Sequence, residues 1–298
     1  CRHRSRHFHG LCLDHTPMRF PKPKGDMPKK RILFVSQEIA PYLPKGELSN
    51  LGRELPQAMQ AAGYEVRTFM PKYGAVNERR NQLHEVIRLS GLNIPISDAD
   101  HPLILKVASM QPSRIQVYFV DNDDYFLKSD DDSDDVGSNR DDNDERAIFF
   151  ARGTMETVKK LRWEPDIIHC SGWVTSLVPM YLRRMYADDP SFADAKIVYT
   201  VLPGEITGTV DPAMLEKLKT DGISDEEIQK FAQLASDTRL MHRMALSYCD
   251  AAIFRVEEPD TELLEYAKSR GIPVLTKELV AGNPKAYAEF YKTLLETD

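Results

Sequence analysis

Cysteine is scarce. Only four occur in 298 residues, at positions 1, 12, 170 and 249, and no two stand at the spacing of a zinc site. A chain of this length buries roughly three quarters of its unfolded surface and needs no disulfide staples, so the scarcity fits a reducing, cytoplasmic setting. Long apolar runs are absent: no segment approaches the ~18 residues of a membrane-spanning helix, which excludes a membrane partner of that kind. Positive charge is in deficit, with 39 Lys and Arg against 46 Asp and Glu and a net charge of −7, which argues against nucleic acid as the main partner. No Gly-x-Gly-x-x-Gly and no phosphate-loop Lys-Ser/Thr follows the first apolar run. No Ser/His/Asp set and no metal cluster emerges from spacing, so no metal or cofactor is expected.

Charge is unevenly spread. Residues 1–26 carry six basic groups (Arg2, Arg4, Arg6, Arg19, Lys22, Lys24) against Asp14 and Asp26, and hold His3, His7, His9 and His15. This leader lacks the apolar core of a secretory signal, and Met27, followed by Pro28-Lys29-Lys30 and an apolar run, reads as an initiator. Residues 1–26 are therefore expected to be a disordered or non-native leader, with a basic targeting arm or a His-borne metal as the other readings. A second biased stretch, 121–146, contains Asp130-Asp131-Asp132-Ser133-Asp134-Asp135. A calcium loop starting at Asp130 would need Gly and Glu where Asp135 and Asp141 stand, so a solvated, flexible acidic loop near 128–141 is expected.

From residue 31 short apolar runs alternate with amphipathic segments. Arg31–Ser36 reads as a buried parallel strand. Leu48, Leu51, Leu55, Met59 and Ala62 give one face of a helix over 47–62, ended by Gly63, and Tyr64–Met70 is the next strand, stopped by Pro71. The runs near 84–90, 102–110 and 114–120 have no long helix between them and predict a hairpin or edge extension. Alternation then resumes: helix 143–161, strand 166–170, helix 173–185, strand 196–202, two or three helices over 211–249, strand 251–256, helix 260–270, strand 272–276 and helix 284–295. This predicts an α/β fold, a doubly wound, mainly parallel, Rossmann-like sheet forming one domain over 27–298.

Ligands in such sheets bind beyond the carboxyl ends of the strands, and three segments lie there. Lys45 and Gly46 open the first helix, where an anion could meet free N–H groups; the alternative is a solvated lysine in a Pro-rich turn, and Glu47 beside them would repel a phosphate. His169 and Cys170 end a strand and point to opposite faces, so they form no nucleophile–base pair. His169 is either a site residue or a satisfied buried histidine. Trp173 packs or flanks a pocket. Thr200 to Gly208 is the third loop.

These residues resemble a known family. RILFVSQEIAPYLPKGELSNLGRELP (31–56) is similar to the opening of bacterial glycogen synthases and plant starch synthases, which read like K-I-L-F-V-S-S-E-x-x-P-x-x-K-T-G-G-L-G-D-V-x-x-x-L-P. GYEVRTFMPKYG (63–74) resembles their second strand and M-P-x-Y turn. Asp142-Asn143-Asp144-Glu145-Arg146 resembles D-N-x-x-R-F, and Pro165–Leu182 resembles P-D-I-I-H-x-H-D-W-H-T-A-L-V-P-x-Y-L. The resemblance runs through four ordered motifs from Arg31 to Gly208. It implies the N-terminal half of a GT-B glycosyltransferase that moves glucose from ADP-glucose (in some members UDP-glucose) to an α-1,4-glucan in glycogen biosynthesis, with retention and without a metal. It also implies that family enzymes continue for another ~150–200 residues, about one domain.

Departures from the pattern accompany the matches. Lys-Thr-Gly-Gly-Leu aligns with Pro44-Lys45-Gly46-Glu47-Leu48, which displaces the Lys and puts a carboxylate where a Gly would let backbone approach phosphate. The family's active-site His aligns with Ser171, and that of Thr-Ile-His-Asn with Leu202. The resemblance implies a remnant pocket lined by Lys45, Asp142, His169, Trp173 and Thr200. In it Lys45 would face donor phosphates, Asp142 would orient sugar hydroxyls or else cap the helix that follows, and Trp173 would pack on the sugar or hold the wall. Losing one pre-organised polar contact costs roughly 10²–10³ in rate, so little or no turnover by this chain alone is expected. The expected partners are ADP-glucose, an α-1,4-glucan, and a separate donor domain or another glycogen enzyme. The alternatives are a non-catalytic glucan-binding or scaffolding relative, and a domain recruited to another small ligand.

Overall fold

A computed structural model describes residues 27–127, 134–204, 206–207 and 209–297. The basic leader and the centre of the acidic run, 128–133, lie outside the described residues.

The chain opens with strand β1 (Arg31–Ser36), helix α1 (Glu47–Ala61) and strand β2 (Glu65–Pro71). Strands β3 (His84–Glu85), β4 (Asn93–Ile96), β5 (Ala99–Pro102), β6 (Ile104–Met110) and β7 (Ile115–Asp121) follow, with one 3₁₀ turn and no α-helix among them. Then come α2 (Asp123–Phe126), α3 (Asn143–Leu161), β8 (Ile167–Ser171), α4 (Val178–Arg183), β9 (Lys196–Val201), α5 (Met214–Leu218), α6 (Asp225–Ala232) and α7 (Thr238–Tyr248). The chain closes with β10 (Ala251–Phe254), α8 (Thr261–Ser269), β11 (Val274–Thr276), α9 (Lys277–Val280) and α10 (Pro284–Leu295).

Nine of these strands form one sheet in the order β11-β10-β9-β8-β1-β2-β7-β6-β3. Pairing is parallel from β11 to β7 and antiparallel only for β7–β6 and β6–β3. The expected doubly wound, mainly parallel architecture is therefore present. Burial explains it: β1 is apolar at successive positions because both its faces are covered, and Ile32, Leu33 and Val35 are fully buried. Helix α1 buries Leu51, Leu55 and Met59 at a spacing of four. Gly52 of α1 is needed there, since a Cβ would stand 2.2 Å from the Glu38 carbonyl oxygen.

Two local expectations are corrected. The helix expected over 173–185 is a 3₁₀ turn (Trp173–Thr175) followed by the short α4; Pro179 lacks the N–H an interior helical position needs and suits only a first turn, where it sits. The run 84–90 gives two strand residues and a 3₁₀ turn, while β4 and β5 form a separate hairpin. Its turn, Ser97-Asp98, takes φ of 51° and 64° without glycine, which hid it from the sequence. Of the acidic stretch, 134–141 is described. The Asp134 carboxylate accepts bonds from Gly137 N (2.9 Å), Ser138 Oγ (3.0 Å) and Asn139 N (3.1 Å).

Candidate functional site

Helix α1 connects β1 to β2 on one side, while β8 joins β1 on the other. The order therefore reverses between β1 and β8, and the crevice beyond their carboxyl ends is the expected ligand position. Gln37 and Glu38 follow β1 at that end, and Ser171, Gly172 and Trp173 stand at the end of β8. Gln37 N donates to the Ser171 carbonyl (3.1 Å) and Tyr73 Oη donates to the Gln37 carbonyl (2.9 Å). Gly172 has φ of 93°, and a Cβ on it would lie 2.6 Å from Gln37 Oε1, so only glycine fits where the resemblance has Asp. Glu38 is partly buried; burial raises its carboxyl pKa, a bond from Gln37 opposes this, and Asp135 and Asp134 add to the rise.

The sequence-derived candidates separate into two groups. Lys45 and Gly46 stand exposed at the start of α1, and Gly46 is extended (φ −169°), a conformation open to any residue. Ser171 and Trp173 stand at the carboxyl end of β8, buried at 8% and 1% exposure, and Trp173 Nε1 is buried without a hydrogen-bond partner. His169 and Thr200 do not reach the crevice. Both are fully buried: His169 Nε2 shares a 2.6 Å hydrogen bond with Thr200 Oγ1, and His169 Nδ1 shares a 2.5 Å bond with Tyr291 Oη of α10. Burial pushes the His169 pKa down to about 3, so it is a neutral core histidine. The physical reason is the pleat: in mid-strand the side chain points into the face that α10 covers, not off the edge.

Asp142 occupies the N-cap position of α3, but its side chain makes no capping bond. Its carboxylate instead takes a two-pronged contact from Arg140, Nε–Oδ1 2.8 Å and Nη2–Oδ2 2.7 Å. The rest of that segment is structural. Arg146, 2% exposed, donates to the carbonyls of Tyr125 (2.7 Å), Val136 (2.7 Å) and Gly137 (3.2 Å) and to Asn143 Oδ1 (2.8 Å). It latches the end of the acidic loop onto α2 and α3.

Sequence reasoning missed Arg255 and Lys277, the residues next after β10 and β11. Both face Glu47 at the start of α1: Lys277 Nζ lies 3.3 Å and Arg255 Nε 4.0 Å from Glu47 Oε1. Arg255 Nη1 also donates to Tyr287 Oη of α10 (2.9 Å). The signal available was position, since each basic residue directly follows a parallel strand. Lys277 also donates to Glu257 Oε1 (2.8 Å), so the edge offers an exposed lysine, two cations already facing carboxylates, and a half-buried acid, but no nucleophile–base pair. Among the described residues no group of His, Cys, Asp and Glu could hold a metal ion.

Comparison with known proteins places this geometry. The family model described as "Starch synthase catalytic domain" matches residues 31–266. The chain belongs to the starch synthase catalytic domain family. A glycogen synthase of Chlorobaculum parvum is 38% identical over 188 residues, 63% of this chain and 38% of that protein. One of Chlorobium luteolum is 36% identical over 195 residues, 65% of this chain and 40% of that protein. This chain thus spans about two fifths of the length of these relatives. Among solved structures, the catalytic domain of starch synthase IV from Arabidopsis thaliana, bound to ADP and acarbose, superposes with a TM-score of 0.64 at 16% identity, over 84% of this chain and 52% of that one. That likeness extends the family assignment to the fold, a mainly parallel α/β sheet resembling the N-terminal domain of a GT-B glycosyltransferase. Among the described residues no helix is long and apolar enough to cross a membrane.

Proposed function

We propose that this chain is a glucan-side domain of cytoplasmic glycogen metabolism that recognises α-1,4-glucan and transfers little or no glucose from ADP-glucose by itself. The observation that carries this reading is the Glu47 contact. Where the family pattern has a glycine, a carboxylate stands at the start of α1 facing Arg255 and Lys277, the latter held by Glu257 as well (2.8 Å), so the cations best placed to meet a diphosphate already face carboxylates. The reading has further support. Ser171 replaces the family His, Gly172 packs on Gln37 with no room for a side chain, and His169 is locked in the core. Family membership and the ADP and acarbose of the solved starch synthase IV domain favour a nucleotide sugar and a glucan as the ligands. Another enzyme of glycogen metabolism is the expected protein partner.

Calorimetric titration of residues 27–298 with maltooligosaccharides and with ADP-glucose, followed by a glucose-transfer assay, tests it. Glucan binding with weak donor binding and negligible transfer is the expected result. Tight ADP-glucose binding with measurable transfer would make the chain an active synthase. Binding of neither ligand would favour recruitment of the fold to another small molecule.

A further inference from the structure

A second concavity lies at the opposite end of the sheet. It is a cleft of about 510 Å³ between the end of α4 and helices α6, α7 and α8, within the size range of metabolite sites. Its α7 wall comes from the last turns of that helix, just before β10 begins at Ala251. The cleft is therefore at the amino ends of the strands, remote from the crevice.

The lining is cationic in a chain whose net charge is −7. Three basic residues, Arg184, Lys230 and Arg243, face it with a single acid, Glu227. That acid is already committed, since it accepts bonds from Arg184 Nε (2.6 Å), Tyr248 Oη (2.9 Å) and the Ser224 backbone N–H (2.9 Å). Burial works to raise its pKa, but these bonds outweigh it and hold the carboxyl at about 2. Lys230 and Arg243 have no carboxylate partner among the described residues. The Arg243 guanidinium lies 3.3 Å from the centre of the Tyr266 ring, and the Tyr266 hydroxyl is fixed in turn by Ser247 Oγ at 2.7 Å. Stacking of this kind orders an arginine before a ligand arrives, which lowers the entropy cost of using its N–H groups. Nor does the carboxyl end of α7 make the cleft negative: Arg270 Nη1 takes the carbonyls of Leu246 (2.6 Å) and Cys249 (2.7 Å).

We infer that this cleft is a binding site for a small phosphomonoester, whose dianion is held by Arg243 and Lys230. A planar guanidinium and a mobile ammonium together suit a phosphate better than a carboxylate-free neutral ligand. The volume exceeds that of a bare phosphate, and the remaining lining, Phe231 and Leu234 with Gln233 and Ser247, suits a compact ring, sugar or aromatic, carrying that phosphate. This site is independent of the function proposed for the crevice and would modulate it only at a distance.

Phenyl phosphate is the probe, titrated into the full chain by calorimetry at low ionic strength, with phenol as the uncharged counterpart and glucose 1-phosphate as the sugar counterpart. Phenyl phosphate is expected to bind and phenol not. Lys230→Ala, which removes only an exposed side chain, should weaken binding about tenfold, and Arg243→Gln roughly a hundredfold, the equivalents of about 1.4 and 2.8 kcal/mol. Tighter binding of glucose 1-phosphate than of phenyl phosphate, lost in the same two variants, would identify the ring as a sugar. Absence of phosphate-dependent binding, unchanged affinity in both variants, or loss of binding in Lys277→Ala but not in Lys230→Ala would overturn the assignment. The last result would move the anion to the crevice, and none of these outcomes bears on glucan binding there.

Discussion

Two neighbouring regions of the same sheet treat polar side chains in opposite ways. In β8 and β9, His169 and Thr200 are sealed under α10 and satisfied by each other and by Tyr291. Beyond β10 and β11, Arg255 and Lys277 meet Glu47 at a half-exposed edge. A buried polar group without a partner is expensive, so the first region admits one arrangement and one protonation state. At the second, Glu47 and Lys277 are partly exposed, so water and salt compete for their charges and the ions there can be exchanged. Of the two regions, only the exposed edge has the freedom to take a ligand.

The sealed arrangements should give the largest effects when broken. Arg146, equally buried, satisfies three backbone carbonyls and Asn143. Arg146→Ala is expected to cost about 3 kcal/mol in urea unfolding, because several buried acceptors lose their donor at once. A loss below about 1 kcal/mol would mean that water replaces the guanidinium and that the latch is not sealed.

His169 gives the next effect, through pH. Its folded pKa is about 3 against 6.5 for an unburied histidine. The unfolded chain therefore takes up the proton first. The stability it contributes is present above pH 6.5 and is lost as pH falls from there towards 3. Between pH 7 and pH 5 the loss should be about 2 kcal/mol, and His169→Gln should flatten that part of the stability curve. An unchanged slope in the variant would show that other groups carry the acid sensitivity.

How far the sequence foretells each region follows from the same contrast. Burial leaves a periodic signature, so helix Asn143–Leu161 and helix Pro284–Leu295 could be read at their ends, and so could the hairpin of β6 and β7. Pairings between distant segments leave none. Nothing near His169 announces Tyr291, 122 residues away, and nothing near Glu47 announces Lys277. Asp142 shows the limit of a local rule: its position predicts a helix cap, but Arg140 two residues earlier takes its carboxylate. Lys45 stands exposed at the start of α1, whereas Ser171 and Trp173 are buried at the end of β8 and His169 and Thr200 lie in the core.

The exposed edge should give the smallest effect on stability. Glu47→Gln is expected to change it by less than about 1 kcal/mol, because the contacts it loses are partly solvated, and added salt should shrink the difference further. A loss of 2 kcal/mol or more, insensitive to salt, would place Glu47 with the sealed groups and remove the contrast.

The most direct test is the affinity for ADP-glucose of the unaltered chain and of Glu47→Gly, measured side by side by calorimetry. With the carboxylate gone, Arg255 loses its ion-pair partner, Lys277 keeps only Glu257 (2.8 Å), and backbone can approach a phosphate, so the variant should bind at least about tenfold more tightly, a gain of about 1.4 kcal/mol. Equal affinities, whether weak or strong, would contradict the claim that Glu47 closes the donor side of this crevice.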